Sequence, residues 1–597
     1  MDLFAVPETL AERRDDGSVV LTSALPLGPY WTNMVEPFRD TAVAHPDRLL
    51  AADRAGDGWR RVTYGEAARQ VDGLAQALLD REAAGRPVMI LSGNSVEHLL
   101  LTLACYTAGS PVVPVSTAYS LLDGSHAKLR HMAGLTEPAV VFADDPDAYH
   151  DALEVVRGMT GAQVIAGREE FARWASTPST AAVAERLAAL DGDTVAKILF
   201  TSGSTGLPKG VITTQRMLCA NQRMLQRIWP FLKEEPPVML DWLPWSHTFG
   251  GNHNLGLALA NGGTIHIDDG RPGPQMIERT IRNLADVHPT VYFNVPAGYA
   301  SLLPHLEADR GLAEAFFARM RFVFFAAAAL PQPLWDGLSK LAASMGSAAP
   351  MTTAWGCTET APAATSAYFP SGRSDCIGVP LPGVSIKLAP VGPKLEIRVK
   401  GPSVTPGYHR APEATAAAFD QEGYYRTGDA VQMVDPDDAG AGLVFDGRIS
   451  EDFKLSTGTW VSAGTLRAAL LACSHGLISD AVLTGHDRDH IGALCWLTPA
   501  VARELAGTEE GVASSRAVRD ALAAALARLN TGVTGSSRRI ERALILDEPA
   551  SLAEGEITDK GYINQRAVLD RRAHLVDLLH TEPVPEEVIL PAPQLGG

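Results

Sequence analysis

The stretch VAKILFTSGSTGLPKG, Val195–Gly210, decides how the rest of the chain is read. Its first part, VAKILF, is a short apolar run of strand character. Its second part gathers Thr201, Ser202, Gly203, Ser204, Thr205, Gly206 and Lys209. A linker of small residues needs neither a preceding strand nor the lysine. A loop that wraps a phosphate uses both. Glycines let the backbone approach closely, hydroxyl and N–H groups donate hydrogen bonds, and the lysine supplies charge. The loop is not a Walker A motif, which requires Ser or Thr directly after the lysine; here Gly210 follows Lys209. Downstream, Met217, Ala220, Met224, Leu225 and Ile228 fall at helical spacing, so the loop is expected between a strand and an amphipathic helix.

Upstream, RPVMILSGNSVEHLLLTLACYTAGSPVVPVS reads strand, helix, strand, with Val88–Leu91, Glu97–Tyr106 and Val112–Val115 as the elements. PAVVFADD, AQVIAG and RFVFFAAAAL are further buried-strand candidates separated by helical patterns. This alternation predicts an α/β fold with helix-flanked parallel sheets. Around FDGRISEDFKLSTGTW the texture turns polar and charged, which places a domain boundary there. The expected organisation is an N-terminal domain over 1–449, a smaller domain over 450–580 and a Pro-rich, poorly ordered tail over 581–597.

With 597 residues the chain exceeds one ordinary core. Its net charge of −18 argues against general nucleic-acid binding but leaves room for a local basic pocket. The six cysteines are scattered without a CxxC pair, which reads as reduced thiols in a cytoplasmic protein, with neither a zinc site nor a disulfide frame. The N-terminus carries charges too early for a signal peptide, and no apolar run is long enough to span a bilayer. The expected partners are small molecules, with no nucleic acid and no membrane; a homodimer is left open.

Three further stretches bear on the phosphate-loop reading. AWGCTETAP puts Trp355, Gly356, Thr358 and Glu359 after a strand-like MTTAW. An aromatic there can cover a nucleobase, a threonine can reach a phosphate, and a carboxylate can hold magnesium. YYRTGDA places Asp429 after a Thr-Gly turn, where a carboxylate can take both ribose hydroxyls. FDGRISEDFK adds Arg448. Each alone is weak, since an Asp or Arg at a turn is commonly a cap or a surface ion pair.

In this order and spacing the set resembles the AMP-forming adenylate superfamily of acyl-CoA synthetases, adenylation domains and luciferases. GVITTQRMLCANQ, WLPWSHTFGGNHNLGLALANGGTIHIDDG, GRISEDFKLSTGTWVSAGTLR and GEITDKGYINQRAVL resemble its feruloyl-CoA synthetase branch. The resemblance implies a large N-terminal domain with a small β subdomain, then a small, mobile α+β C-terminal domain. It implies two steps: a hydroxycinnamate attacks the α-phosphate of ATP, with Mg2+, giving acyl-AMP and pyrophosphate, and coenzyme A then displaces AMP. Alternatives are adenylation of another aryl or medium-chain acid, for coenzyme A or a carrier protein, and a non-catalytic nucleotide-binding relative. The last predicts loss of Lys209, Glu359 or Asp429, and all three are present.

Carried over residue by residue, the resemblance makes Thr201–Gly206 and Lys209 the phosphate clamp, Trp355, Gly356 and Thr358 part of the adenylate site, and Glu359 the metal ligand. Asp429 would hold the ribose hydroxyls, Arg448 would be a further nucleotide-binding residue, and Ser450 would be the hinge. His247, Phe249, Asn294, Tyr299, Ala327 and Ala328 would line the acid pocket, edged by Trp245, Tyr292 and Phe293. Lys454 would serve the thiol-transfer pose. Many relatives carry P-K-T-x-x-G-K-I-x-R near the C-terminus, whose second lysine bridges carboxylate and phosphate. Here EGEITDKGYINQR puts Glu556 at that place, and Lys560 is expected to substitute. No protein nucleophile is needed, so Cys357 is read as structural.

Overall fold

The computed structural model describes residues 2–201, 207–508, 511–551, 554–557 and 563–593. Two packing units divide the chain. One comprises Met1–Val391, Ile397–Thr427 and Met433–Val444; the other comprises Gly392–Glu396, Gly428–Gln432 and Phe445–Gly597.

In the first unit a six-stranded sheet runs in the order Lys209–Thr214, Val195–Thr201, Val112–Pro114, Val88–Ile90, Val140–Ala143, Gln163–Ala166. Every neighbouring pair after the first is parallel. Its short central strands are apolar throughout and buried, as a sheet covered on both faces requires. The helix Val96–Ala108 is buried along its whole length. A four-stranded sheet runs Val238–Asp241, Thr264–Ile267, Leu49–Ala55, Gly58–Thr63. Three parallel strands, Val291–Asn294, Phe322–Phe325 and Met351–Gly356, form one end of an eleven-stranded sheet. The mixed α/β class read from the sequence is the observed one.

One expectation around the glycine-rich loop is corrected. A second strand, Lys209–Thr214, stands between the loop and the helix and returns antiparallel, with Thr201 opposite Lys209. The β-branched run Val211–Thr214 favours a strand, and helical spacing starts only at Met217. The helix Gln215–Ile228 has its own cap, the Thr214 side chain accepting from Met217 N–H. The loop therefore connects the two strands of a hairpin.

The second unit is built on a three-stranded sheet. Ile478–Thr484 and Ile491–Leu497 are antiparallel, and Ile540–Ile545 lies parallel to the latter. Alternate residues serve two apolar layers. Ala481, Leu483, Ala493, Cys495 and Ala543 face one, and Val482, Leu494, Trp496 and Leu544 the other. The segment expected to be a poorly ordered tail packs against this sheet as far as Ala592. Ile589 and Ala543 exchange backbone hydrogen bonds of 2.8 and 2.9 Å, and Ala592 N–H donates to Ala523. Arg519 donates to the carbonyls of Glu586 and Glu587. Val588 and Ile589 are buried. Their apolar, β-branched character outweighs the Pro-rich composition around them.

Candidate functional site

In the first unit, two adjacent parallel strands end as a pair at Asn294 and Phe325, and the third, in which Thr353 pairs with Phe325, runs on to Gly356. The crevice outside such strand ends is the usual ligand position in open α/β sheets. Ala327 and Ala328 follow the second strand and are exposed. Ala327 has φ of +75°, a left-handed conformation that glycine adopts without strain. Trp355 lies in the third strand, and Thr358 and Glu359 form the tight turn after it; all three are buried. Gly356 is required there by contact: a Cβ would stand 1.8 Å from the Pro362 carbonyl oxygen.

Tyr408, which the sequence did not single out, ties this turn to the hairpin. Ile212 N–H donates to Gly407 at 3.1 Å and His409 N–H to Gly210 at 2.7 Å, so the segment around Tyr408 runs along the Lys209–Thr214 strand. Thr405 N–H donates to the Glu359 carbonyl at 2.8 Å. The Tyr408 hydroxyl donates to Glu359 Oε1 at 3.0 Å and lies 3.2 Å from the Tyr425 hydroxyl. Burial, reinforced by the Glu359 charge, pushes both phenols above their ordinary pKa, so they keep their protons. Lys209 Nζ sits 5.4 Å from the centre of the Tyr408 ring. A cation and an oriented carboxylate thus flank the foot of the hairpin. Ser202, Gly203, Ser204, Thr205 and Gly206 lie outside the described residues, and so does Lys560.

Beyond Asp241 the chain makes a turn at Pro244–His247 and a widened helical turn, Phe249–Asn254. Gly250 and Gly251 are required by this fold-back: a Cβ would meet the Leu243 carbonyl oxygen at 2.3 Å and that of Trp245 at 2.2 Å. His247 and Phe249 are half-buried. Lys197, fully buried in the strand that leads to the loop, donates to the Gly251 carbonyl at 2.7 Å. Burial lowers its pKa to about 7. Asn294 accepts from Trp242 Nε1 at 3.1 Å and from Val295 N–H at 2.9 Å. Phe249 packs with His253, Phe293 and Phe324. Tyr299, expected in a pocket wall, is a core residue: it is fully buried among Leu302, Leu306 and Phe316, and its hydroxyl donates to the Phe324 carbonyl at 2.7 Å. Trp245 and Tyr292 are likewise buried.

In the second unit Arg448 Nε lies 3.4 Å from Asp429 Oδ1, bringing together two residues assigned to the nucleotide. Ser450 is exposed in the single turn Ile449–Glu451. Lys454 Nζ lies 4.9 Å from the centre of the Trp460 ring. Lys394, missed in the sequence, is half-buried and reaches Asp446 O at 2.6 Å, Asp452 Oδ2 at 2.7 Å and Ser462 Oγ at 2.9 Å.

A family profile described as "AMP-binding enzyme" matches residues 38–409, which include the hairpin, the Trp355–Glu359 turn and Tyr408. The chain belongs to the AMP-binding enzyme family. It is 28% identical over 457 residues to a carboxylic acid reductase of Mycobacterium tuberculosis, covering 68% of this chain and 37% of the reductase. The chain thus spans little more than a third of that relative. It is 25% identical over 600 residues to a long-chain-fatty-acid–CoA ligase of Mycobacterium bovis, covering 90% and 95% of the two chains. The ATP-bound structure of MatB from Rhodopseudomonas palustris superposes with a TM-score of 0.70 at 24% identity, covering 91% of this chain and all of that one, and so shares the fold. Among the described residues, no three or more His, Cys, Asp or Glu side chains are grouped to hold a metal ion. A single oriented carboxylate such as that of Glu359 fits a hard cation that shares its coordination with substrate phosphates and water.

Proposed function

We propose that the chain activates a planar aromatic acid of the hydroxycinnamate class, such as ferulate, with ATP and transfers the acyl group to coenzyme A. The observation that carries this reading is the convergence of Lys209, Tyr408 and Glu359 at the foot of the glycine-rich hairpin. A carboxylate is a poor electrophile, and a mixed anhydride with AMP gives it a leaving group. The barrier lies in bringing two anions together, so positive charge has to gather where they meet. Lys209 is proposed to bind the phosphates and Lys560 to bridge carboxylate and α-phosphate. Mg2+ held by Glu359 would supply further charge neutralisation on the phosphates. The Tyr408 hydroxyl keeps one Glu359 oxygen oriented. Asp429 is proposed for the ribose hydroxyls, Arg448 for further contact with the nucleotide, and Lys454 for the thiol-transfer step.

The preference for an aryl acid is supported by the motif resemblance and by the aromatic side chains around the Trp245–Phe249 segment, which suit a flat ring. Family membership is equally compatible with other aryl acids and with fatty acids. A panel of carboxylic acids, assayed for pyrophosphate release and for thioester absorbance with coenzyme A, tests the reading. Hydroxycinnamates are expected to lead the panel. Faster turnover of medium-chain fatty acids than of every cinnamate would reject the aryl assignment. Pyrophosphate release without thioester would redirect the second step to another acceptor.

A further inference from the structure

The turn Phe249–Asn254 holds a buried histidine that has no part in the adenylation chemistry. His253 is 1% exposed. It stacks on Phe324, with ring centres 5.3 Å apart, and meets Phe293, Phe249 and Trp229 edge-on. Phe293 and Phe324 each stand one residue before the end of a parallel strand, at Asn294 and Phe325. His253 therefore lies against the strand ends that border the crevice. Burial lowers the pKa of its imidazole to about 4, so the ring is neutral at neutral pH.

A relay of hydrogen bonds decides which nitrogen carries the proton. Asp241 Oδ1 accepts from Leu243 N–H at 3.3 Å and from Asn254 Nδ2 at 3.0 Å. The Asn254 amide therefore turns its Oδ1 to the histidine, 2.9 Å from Nδ1. An amide oxygen only accepts, so His253 Nδ1 holds the proton and Nε2 presents a lone pair. Among the described residues that Nε2 has no hydrogen-bond partner, and neither has the buried Nε1–H of Trp229. Buried polar atoms are nearly always paired, and an unpaired one is costly. Here an acceptor and a donor without partners sit in one aromatic group, the two rings having centres 6.0 Å apart.

We propose that His253 is a specificity-determining residue whose Nε2 accepts a hydrogen bond from a hydroxyl on the aromatic ring of the acid, so that the preferred substrates are phenolic. The inference rests on the aryl-acid reading given above. Aromatic walls suit a flat ring, and the lone pair selects among flat rings. A phenol hydroxyl donates to Nε2 and can accept from Trp229 Nε1–H in turn. A bare ring supplies neither function, and a methyl ether cannot donate. Phe249 is the one half-buried ring of the group, so the substrate ring enters past it. So weak a base leaves the phenol protonated, and no proton is transferred. A polar group committed to a substrate hydroxyl rejects the analogue that lacks it, because the group is then left unpaired.

The test uses the full-length protein and acid-dependent pyrophosphate release from ATP. Cinnamate is compared with its ortho-, meta- and para-hydroxy derivatives and with their methyl ethers. At least one hydroxy acid should exceed cinnamate in kcat/KM by about tenfold to a hundredfold, the range of one buried hydrogen bond, and its methyl ether should not. His253→Phe keeps an aromatic ring and removes the acceptor. In that variant the ratio of the same hydroxy acid to cinnamate should fall to within about threefold of one. The ratio is taken within one preparation, so a loss of folded enzyme does not move it. Where His253→Phe does not fold, Asn254→Leu, which frees the Nδ1 proton from its partner, should lower the same ratio. No hydroxy acid ahead of cinnamate, or a methyl ether equal to its parent phenol, would overturn the proposal, as would an unchanged ratio in the variant. Medium-chain fatty acids ahead of every aryl acid would sink the aryl reading and this inference with it. Aryl acids in the lead without a hydroxyl preference would leave that reading standing and remove only the role of His253.

Discussion

Tyr408 shows how much of the candidate site a single hydroxyl can organise. Its hydrogen bond fixes one oxygen of a buried carboxylate, and its ring lies beside Lys209. Tyr408→Phe should leave Glu359 one donor short and less well aimed, at a cost of about 1–3 kcal/mol for an unpaired buried group. ATP–pyrophosphate exchange is expected to fall about tenfold and half-saturation to move to higher Mg2+, whereas Glu359→Gln should abolish the Mg2+ response and cost a hundredfold or more. A magnesium titration of exchange in the two variants distinguishes them; an unchanged titration for Tyr408→Phe would remove the tyrosine from the site. Glu359, Trp355 and Lys209 could be singled out as candidates because each sits in a short motif whose residue types match a chemistry. Tyr408 was not, because its significance depends on a pairing between segments almost two hundred residues apart. Tyr299 failed for the opposite reason: an aromatic near a motif was read as pocket, but its face of the helix Pro296–Ala308 turns into the core.

At the scale of elements, apolar runs located the parallel strands and helical spacing located the helix after the loop. The strand Lys209–Thr214 escaped because it is short and lies directly against that helix in sequence. Lys197 was hidden inside an apolar run, where a lysine reads as an edge or a boundary. It instead links the strand before the loop to the turn Phe249–Asn254. Its burial gives a pH signature. In the unfolded chain a lysine holds its proton up to about pH 10.5, and in the fold burial lowers that value to about 7. Between these values the unfolded state binds the extra proton, so this group makes stability rise with pH. Relative to Lys197→Met, the native protein should therefore gain about 1 kcal/mol per pH unit between pH 7 and 10. Unfolding curves of both proteins across that range check the slope, and a constant difference would show that Lys197 stays charged in the fold.

For the whole molecule, the two packing units are joined by five chain crossings, at 391/392, 396/397, 427/428, 432/433 and 444/445, whereas the chain passes Ser450 once. A pivot between half-reactions is therefore proposed at Ser450, where one pair of dihedrals suffices. Ser450→Pro should fix φ and spare at most one half-reaction; normal rates in both would move the pivot elsewhere. Lys394 bonds to Asp446 on one side of that residue and to Asp452 and Ser462 on the other, so such a rotation would have to release it. The C-terminal segment bears on how the protein can be handled. Ile589 occupies the open edge of the strand Ile540–Ile545, and a bare edge of this kind invites pairing between molecules. Trimming the proline-rich end to tidy an expression clone would strip that cover and favour self-association. A fusion partner or affinity handle appended after Gly597 keeps it in place.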